Sequence, residues 1–384
     1  MDFWANKAVK EFQNDEEIME YLGWLARRRG YGPNYRPPPP KTITTGFVRV
    51  HLDIRISSPE FLSLPPGYLA DDIAHVLSKF KNPFGKLITS KIEDNFQGTD
   101  DMLFLEDITC CQWLITKIQK VMDKHGEPSY YQVSLTSPIL TTDHTPKTVS
   151  DMCRNLKSAY QFSDDQEDMP NLRVEMGFAM DLREGRSTPL DFKTVQNLTA
   201  FLFTFERVLN TIHAPHVIKS REVLPLTGNC EASWYASQKQ LTHKEFLEII
   251  RRCRSSEELL AVTSHPNSRV QQAYSVRQAL AISNSTYPMV QFNQHEATLD
   301  ADRINNWVMV CFALVRSSLY ADVDEMFGFL QGEEIPGNLH DLIELCGMPK
   351  AAKFYEDKVY DHTDEFYKEV PFWNRMVGKE DTSD

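Results

Sequence analysis

His51 and Asp53 are separated by one residue in a segment where apolar and polar residues alternate, Phe47 to Ile56. Side chains two positions apart on a β-strand project from the same face, so this imidazole and carboxylate can share one partner. They can hold a metal ion with a third ligand such as His295, or form a hydrogen-bonded pair in which Asp53 orients a buried His51. We favour the hydrogen-bonded pair and predict no metal site.

A second strand-like segment carries Gln291, Asn293 and His295 at every second position. We predict that these three side chains share a strand face and offer neutral donors and acceptors to a small molecule, with an inert, filled core as the alternative. His51 or His295 is the candidate general base, because histidine titrates near neutral pH. Glu296 is predicted to point to the opposite face and anchor the following helix.

The elements that must position these residues follow from hydrophobic spacing. Alternation and apolar runs predict strands over 47–56, 129–136, 172–181 and 288–296. Apolar residues at helical spacing predict helices around 68–80, 107–124, 190–213 and 302–318, and two short helices beginning near Thr242 and Ser255. The fold class expected from this pattern is α+β, with helices covering one side of a sheet.

The charge balance excludes several classes of partner. The formal net charge is −13 and no run of five Lys or Arg occurs, so a nucleic acid or an anionic membrane is a poor partner. No apolar stretch approaches the ~20 residues that span a bilayer, and acidic residues stand where a signal peptide would be apolar. We therefore expect a cytoplasmic protein whose partner is a small molecule.

The seven cysteines are scattered through apolar segments, and no Cys-x-x-Cys pair is present. That distribution is typical of reduced core residues rather than of a zinc or redox site. Ser137 precedes Pro138 without a Gly-x-Ser-x-Gly motif, which indicates a turn residue rather than a nucleophile.

Three regions are predicted along the chain. Residues 1–43 combine helical spacing with four consecutive prolines, which indicates a helical extension and a stiff linker. Residues 44–360 form the main domain, and residues 361–384 form an acidic C-terminal tail. The extension could join a second copy of the chain or a homologue.

Several motifs occur in an order that resembles the fungal amidoligases. The segment Gln291-Phe292-Asn293-Gln294-His295-Glu296-Ala297-Thr298-Leu299 is similar to their signature Glu-Phe-Arg-Gln-His-Glu-Gly-Thr-Leu. Further likenesses lie at Val50-His51-Leu52-Asp53-Ile54, at Thr136-Ser137-Pro138-Ile139-Leu140, at Gln196-Asn197-Leu198 and at His213-Ala214-Pro215-His216. Together they cover residues from about 45 to about 355.

The resemblance implies a fold like that of glutamine synthetase and other carboxylate-amine ligases, with a curved, mainly antiparallel sheet backed by helices. Members of that family convert a carboxylate to an acyl phosphate, which an amine then attacks. This chemistry requires carboxylates that bind magnesium and cations that bind the phosphates of ATP.

Most of the charged positions of the family differ in this chain. The two glutamates of the first strand correspond to His51 and Asp53. A later glutamate corresponds to Ser134, and the arginine after the His-Pro turn corresponds to Val217. The His-x-His pair of the family aligns with Phe178 and Met180, and its signature glutamate and arginine align with Gln291 and Asn293. His295 and Glu296 are retained, so we expect a nearly uncharged site with His51, Asp53 and His295 as its only titratable groups.

The predicted function is therefore that of a diverged amidoligase-like protein that binds a small neutral or weakly acidic metabolite, in the manner of fungal specialised metabolism. His51, Asp53 and His295 are its candidate catalytic residues. The expected ligand-binding residues are Ser134, Phe178, Met180, Val217, Gln291, Asn293 and Glu296. No cofactor is expected. Two alternatives stay open: an ATP- and magnesium-dependent amide ligase that uses other ligands such as Glu175, Asp181 or Glu296, and a non-catalytic partner of an active homologue.

Overall fold

The computed structural model describes residues 45–78, 113–162, 172–179, 190–219, 223–226, 243–263, 271–280, 288–320, 323–332 and 336–362. The predicted N-terminal helix and proline linker lie outside these residues, as do Met180 and Asp181. No helix of the described part is long and apolar enough to cross a membrane.

The described strands form a mixed set of long and short elements. They are β1 Thr45–Ile56, β2 Leu114–Met122, β3 Pro128–Thr136, β4 Leu140–Thr141, β5 Leu172–Ala179, β6 Val223–Leu224, β7 Gln271–Gln272, β8 Tyr274–Ser275 and β9 Val290–Phe292. Seven of them make one sheet in the order β2-β3-β1-β5-β9-β8, with β4 also paired to β1, and every pairing in it is antiparallel. Strands β6 and β7 pair in parallel as a separate ribbon.

The described helices lie mainly between these strands in sequence. They are α1 Pro59–Leu62, α2 Pro66–Ser78, α3 Thr145–Ala159, α4 Phe192–Asn210, α5 Pro215–Ile218, α6 His243–Arg252, α7 Ser256–Thr263, a 3₁₀ turn Arg277–Ala279, α8 Ala301–Tyr320, α9 Val323–Leu330, α10 Leu339–Leu345 and α11 Pro349–Tyr355. Helix α8 contacts α3, α4 and β5, and α2 contacts α3 and β2.

The alternation along β1 assigns two different environments to the two faces of the sheet. The even-numbered residues Val48, Val50, Leu52, Ile54 and Ile56 are buried in the helix-packed core. The odd-numbered residues from Arg49 to Arg55 therefore project from the opposite face, because strand side chains alternate. We call that opposite side the polar face. The predicted α+β class, an antiparallel sheet with helices against it, is confirmed.

Most predicted elements are present with small shifts in their ends. The strands at 47–56, 129–136 and 172–181 correspond to β1, β3 and β5, and the helices at 68–80, 190–213 and 302–318 correspond to α2, α4 and α8. The strand predicted over 288–296 is shorter, since β9 ends at Phe292.

The helix predicted over 107–124 is wrong in its described part, because Leu114–Met122 is strand β2. The error has a specific cause. Ile115 pairs with Leu135 and Ile118 with Val133, and the register shifts between Ile115 and Lys117. This β-bulge places two core-facing residues three positions apart, the spacing that a helix would give.

Candidate functional site

The polar face brings together side chains from five strands. Across the β1–β5 ladder, Arg49 pairs with Glu175 and His51 with Arg173. Glu175 in turn pairs with Gln291 of β9. On the other side of β1, His51 pairs with Thr136 and Asp53 with Ser134, which pairs with Lys117 of β2. The antiparallel register thus assembles one continuous polar surface from distant parts of the chain.

Glu175 lies at the centre of this surface and its side chain is only 5% exposed. Its Oε2 atom lies 3.3 Å from Arg49 Nη1 and 3.2 Å from His51 Nε2. Its Oε1 atom accepts a hydrogen bond from Gln291 Nε2 at 3.1 Å and lies 3.6 Å from Arg173 Nε. A buried carboxylate needs such partners to stay charged, and Glu175 has them on both oxygens.

Burial by itself would raise the pKa of Glu175, but the contact with His51 and the charges of Arg173 and Arg49 outweigh it. The pKa of this carboxyl is held well below its usual range. Both arginines are charged at any physiological pH, so their positive charges keep the pKa of Glu175 low. Glu175 is therefore an ionised carboxylate that is neutralised by the chain's own cations.

His51 is held as a neutral imidazole of one tautomer. Nη2 of Arg173 lies 3.0 Å from its Nδ1, and Oγ1 of Thr136 lies 2.9 Å from the same atom. A guanidinium only donates, so Nδ1 accepts and the proton is on Nε2, which faces Glu175. Burial, followed by the charge of Arg173, lowers the pKa of His51 to about 4, although Glu175 opposes the shift.

The guanidinium of Arg49 keeps one edge without a hydrogen bond. Nη1 faces Glu175, whereas Nε and Nη2 are buried and have no hydrogen-bond partner in the described structure. These two N–H groups point in parallel and match the two oxygens of a carboxylate. Such buried, unsatisfied donors are uncommon because leaving them unpaired costs free energy.

The polar face is electropositive although the whole chain is acidic. Among its named side chains, Arg49, Arg55, Lys117 and Arg173 are cationic, whereas Asp53 and Glu175 are anionic. These six charges leave an excess of two positive charges in a chain of formal net charge −13. A surface of this kind attracts an anionic ligand.

The expectation of a nearly uncharged site is therefore wrong. The residues beside His51 and Arg49 on β5 are Arg173 and Glu175, and not Phe178 and Met180. Phe178 pairs with Gly46 near the start of β1, and Met180 lies outside the described residues. The alternation of apolar and polar residues within 172–179 places Arg173 and Glu175 on one face of a strand. Only the pairing of β5 with β1 shows that this face lies beside His51.

His295 does not join His51. It is buried among the helices, with its ring 5.5 Å from that of His213 and 5.3 Å from that of Trp307, measured between centroids. Its Nδ1 lies 2.9 Å from the carbonyl oxygen of Glu296 and so donates to it. Burial, and then the charge of Arg303, lowers the pKa of His295 to about 3. This imidazole is a neutral core residue.

Two of the predicted ligand-binding residues, Asn293 and Val217, are also separated from the polar face. Asn293 is buried and donates from Nδ2 to the carbonyl oxygen of Gln272, and Val217 is fully buried in α5. The prediction that Gln291, Asn293 and His295 share one strand face is wrong, since the strand ends before Asn293. Glu296 forms an ion pair with Arg303 of α8, in keeping with its predicted role as an anchor.

Asp53 and Ser134 lie on the polar face, as the sequence indicates, and Gln291 reaches it through Glu175. The predicted hydrogen-bonded pair of His51 and Asp53 is not formed: Nδ1 of His51 is hydrogen-bonded to Thr136 and Arg173, and the carboxylate that faces Nε2 is that of Glu175. The catalytic and binding roles assigned to these residues stay predictions.

The donor set around Glu175 does not fit the magnesium and nucleotide that ligase chemistry uses. Both oxygens of Glu175 already face donors of the chain, and no group of three or more His, Cys, Asp or Glu among the described residues could hold a metal ion. Magnesium is usually held by carboxylates with open oxygens together with substrate phosphates.

The molecule is thus an α+β protein with a charged, partly buried cluster on the open side of an antiparallel sheet. The chain matches the family model Amidoligase_2, described as "Putative amidoligase enzyme", over residues 74–315, which is more than half of its length. It belongs to this amidoligase family. The resemblance seen in the motifs is confirmed at that level.

Two further comparisons add little. A cryo-EM structure of glutamine synthetase from Plasmodium falciparum is similar with 9% sequence identity and a TM-score of 0.28, and the match covers 94% of this chain and 75% of that chain. So weak a likeness supports no conclusion about fold or function. No curated protein matches the chain.

Proposed function

We propose that this amidoligase-family protein binds a small metabolite that carries a single carboxylate, on the polar face beside Arg49, Arg173 and His51, without magnesium or ATP. The observation that carries the proposal is the Nε–Nη2 edge of Arg49, which is buried and has no hydrogen-bond partner among the described residues. A carboxylate placed there would satisfy both donors at once.

The local charge favours one negative charge over several. Arg49 and Arg173 contribute two positive charges, Glu175 removes one, and His51 is neutral, so the centre of the cluster carries a net charge of about +1. A monocarboxylate completes this balance. The triphosphate of ATP, with about four negative charges, would leave a large excess without a bound metal ion.

An amino-acid-derived ligand fits this site best among small carboxylates. Amide and hydroxyl groups of such a molecule could meet Gln291, Ser134 and Thr136, which lie around His51 on the polar face.

A role in fungal specialised metabolism and a location in the cytoplasm belong to the same proposal. So does pairing with a homologue through residues 1–43, the region that could make this chain a non-catalytic partner.

Isothermal titration calorimetry with a panel of monocarboxylates tests the proposal. The panel contains acetate, N-acetylglycine, L-glutamine and L-phenylalanine, each titrated with and without magnesium-ATP. We expect saturable binding of at least one probe, independent of magnesium-ATP. The variant Arg49→Gln should weaken that binding roughly 10- to 100-fold, which corresponds to the loss of one charge-assisted contact.

The matched control is Lys117→Gln, which removes an exposed cation from the same face without touching the cluster. It should change the affinity by less than about threefold, because exposed charges act through screened, long-range attraction only. Absence of binding for every probe, or equal affinities for the wild type and Arg49→Gln, would contradict the proposal.

A second candidate is ATP-dependent amide ligation, and one observation favours it. Asp53 and Glu175 both lie on the polar face, so that face has two carboxylates where the sequence suggested one. Magnesium-dependent binding of ATP in the micromolar range, lost in both Asp53→Asn and Glu175→Gln, would support this candidate instead.

A further inference from the structure

We propose that Arg173 controls the protonation of His51: a ligand carboxylate that draws Arg173 away lets the imidazole take up a proton and become an acid–base group beside the ligand. The inference rests on the proposed carboxylate site and adds a mechanism to it. In the absence of ligand, Arg173 keeps His51 neutral and blocks its basic nitrogen.

The block is seen in the contacts of the imidazole. Nδ1 is the only basic nitrogen of this tautomer, and it accepts from Arg173 Nη2 at 3.0 Å. Nε2 carries the proton and faces Glu175 Oε2 at 3.2 Å. A base must present a free lone pair, so a proton reaches Nδ1 of His51 only when Arg173 gives up this contact.

Arg173 is the member of the cluster best able to move. Its side chain is 33% exposed, compared with 11% for Arg49 and 5% for Glu175. Its Nε atom lies 3.6 Å from Glu175 Oε1 and makes no hydrogen bond within the part of the chain that the structure describes. The contact with His51 is therefore its main polar contact in the cluster, and a carboxylate that offers two oxygens would be a stronger partner.

The groups that face His51 come from three strands. Arg49 and Asp53 flank it on β1, Arg173 and Glu175 face it from β5, and Thr136 and Ser134 face it from β3. Lys117 and Arg55 lie further along the same face. Burial is the largest cause that favours a neutral ring, and the positive charge of Arg173 adds to it.

Once Arg173 pairs with a ligand carboxylate, its charge is compensated and the charge of Glu175 acts on the imidazole with less opposition. A proton from solvent then binds to Nδ1, and no other bond breaks. Thr136 Oγ1 lies 2.9 Å from Nδ1 and can turn its lone pair towards the new N–H. The imidazolium would thus have an acceptor at both nitrogens, Thr136 and Glu175.

The first test needs no ligand. Nitrogen-15 NMR of the full chain, with His51 assigned by comparison with His51→Gln, reports both tautomer and titration. In the wild type we expect the Nε2–H tautomer and a midpoint near pH 4. In Arg173→Gln the midpoint should rise by about one pH unit or more, a tenfold change in proton affinity. In Lys117→Gln it should not move.

An unchanged midpoint in folded Arg173→Gln overturns the inference. If that variant does not fold, Arg173→Lys supplies the test, because an ammonium on a shorter stem keeps the charge while losing the contact with Nδ1. It should then lose the tautomer preference of His51. A wild-type ring with its proton on Nδ1 would also overturn the inference.

The second test uses the monocarboxylate that binds in the calorimetric panel. Titrations at pH 5.5 in two buffers of different ionisation enthalpy should show proton uptake on binding by the wild type, and none by His51→Gln. The uptake should be about 0.2 proton per ligand if the midpoint of His51 rises by one pH unit from about 4, and it should approach one proton if the midpoint reaches the normal histidine value. Binding without proton uptake overturns the inference and leaves the carboxylate site standing. Absence of binding contradicts the proposed function, and the NMR test still decides whether Arg173 controls His51.

Discussion

Arg49 and Glu175 form a buried ion pair across the β1–β5 ladder, with Nη1 and Oε2 3.3 Å apart. Each oxygen of Glu175 faces a cation of the chain itself, since Oε2 faces Arg49 and Oε1 faces Arg173. In this protein the same contact both stabilises the sheet and leaves the second edge of the guanidinium without a partner. The arginine that forms this ion pair is also the one to which we assign the proposed ligand carboxylate.

Replacing Glu175 by Gln should destabilise the fold strongly. The change leaves Arg49 and Arg173 near each other with no carboxylate between them, and breaking a buried ion pair from one side typically costs about 3–5 kcal/mol. Chemical denaturation monitored by circular dichroism measures this. Glu248→Gln, which breaks an ion pair of the exposed helix surface, should have little effect, and a similar loss in both variants would contradict the prediction.

The fold should lose stability as the pH falls below about 6.5. Burial lowers the pKa values of His51 to about 4 and of His295 to about 3, and that of His213 well below its usual value. The folded state then binds fewer protons than the unfolded chain, so acid favours unfolding. Three such groups give a slope approaching about 4 kcal/mol per pH unit between pH 6 and pH 4.

Glu175 contributes to the loss of folding stability in acid only at lower pH than the histidines do. Its pKa is depressed in the folded state, so its stabilisation is present above the normal glutamate range and disappears as the pH falls through and below that range. Denaturation curves at pH 7.5, 6.0 and 5.0 provide the measurement. His51→Gln should reduce the slope by about 1.4 kcal/mol per pH unit, whereas exposed His125→Gln should leave it unchanged. Equal stability at pH 7.5 and 5.0 would refute the prediction.

The segment from Glu356 to His362 should detach locally when His362 is replaced by Ala. Nε2 of His362 lies 3.1 Å from the carbonyl oxygen of Asn210 and 3.0 Å from that of His213, and the Tyr360 amide donates to the Thr211 carbonyl at 2.7 Å. Losing the imidazole removes the partner of two carbonyls, which costs about 1–2 kcal/mol. Hydrogen exchange should increase at Tyr360 and around the end of α4, where the segment docks.

Val359→Ala is the control for this change, since Val359 lies in the same segment and its side chain is 46% exposed. It should leave the exchange at the end of α4 as in the wild type. Unaltered exchange in His362→Ala would show that the segment is held by other contacts.

Gln196 should be required for the C-terminal end of α6. Its Nε2 donates to three backbone carbonyls, those of Ile250, Arg251 and Cys253, at 2.8 to 3.2 Å, and the side chain is buried. Gln196→Met keeps the length of the side chain but removes the donor, so we expect a loss of about 1–3 kcal/mol. Gln196→Glu should cost more, because a carboxylate would face the same carbonyl oxygens.

Thermal and chemical unfolding of the two variants measures these losses, with Gln119→Met on exposed β2 as the matched control. A smaller loss in Gln196→Glu than in Gln196→Met would contradict the role given to the three carbonyls.

Periodicity in the sequence by itself determined much of the fold. The strict alternation from Phe47 to Ile56 predicted both β1 and the face on which His51 and Asp53 lie, because a strand leaves the side chains no other choice. The helical spacing of apolar residues likewise predicted α4 and α8. The motif resemblance identified the family that the family model also matches. The β-bulge at Ile115 to Lys117 was not visible, since a bulge changes the spacing only through its partner strand.

The composition of the site was decided by the tertiary structure. Arg173 and Glu175 are plain charged residues of an apolar segment, and nothing local distinguishes them from a solvated strand face. Only the register of β5 against β1 brings them to His51 and Arg49, where burial and mutual charge set which groups are ionised. His295 shows the opposite case, a predicted site residue that lies away from the polar face. The strand ends at Phe292, and the backbone beyond it places the imidazole in the helical core. The sequence states which charged residues occur and in what order. The pKa of each one depends on its burial and on the charges around it, and these are set by the tertiary structure.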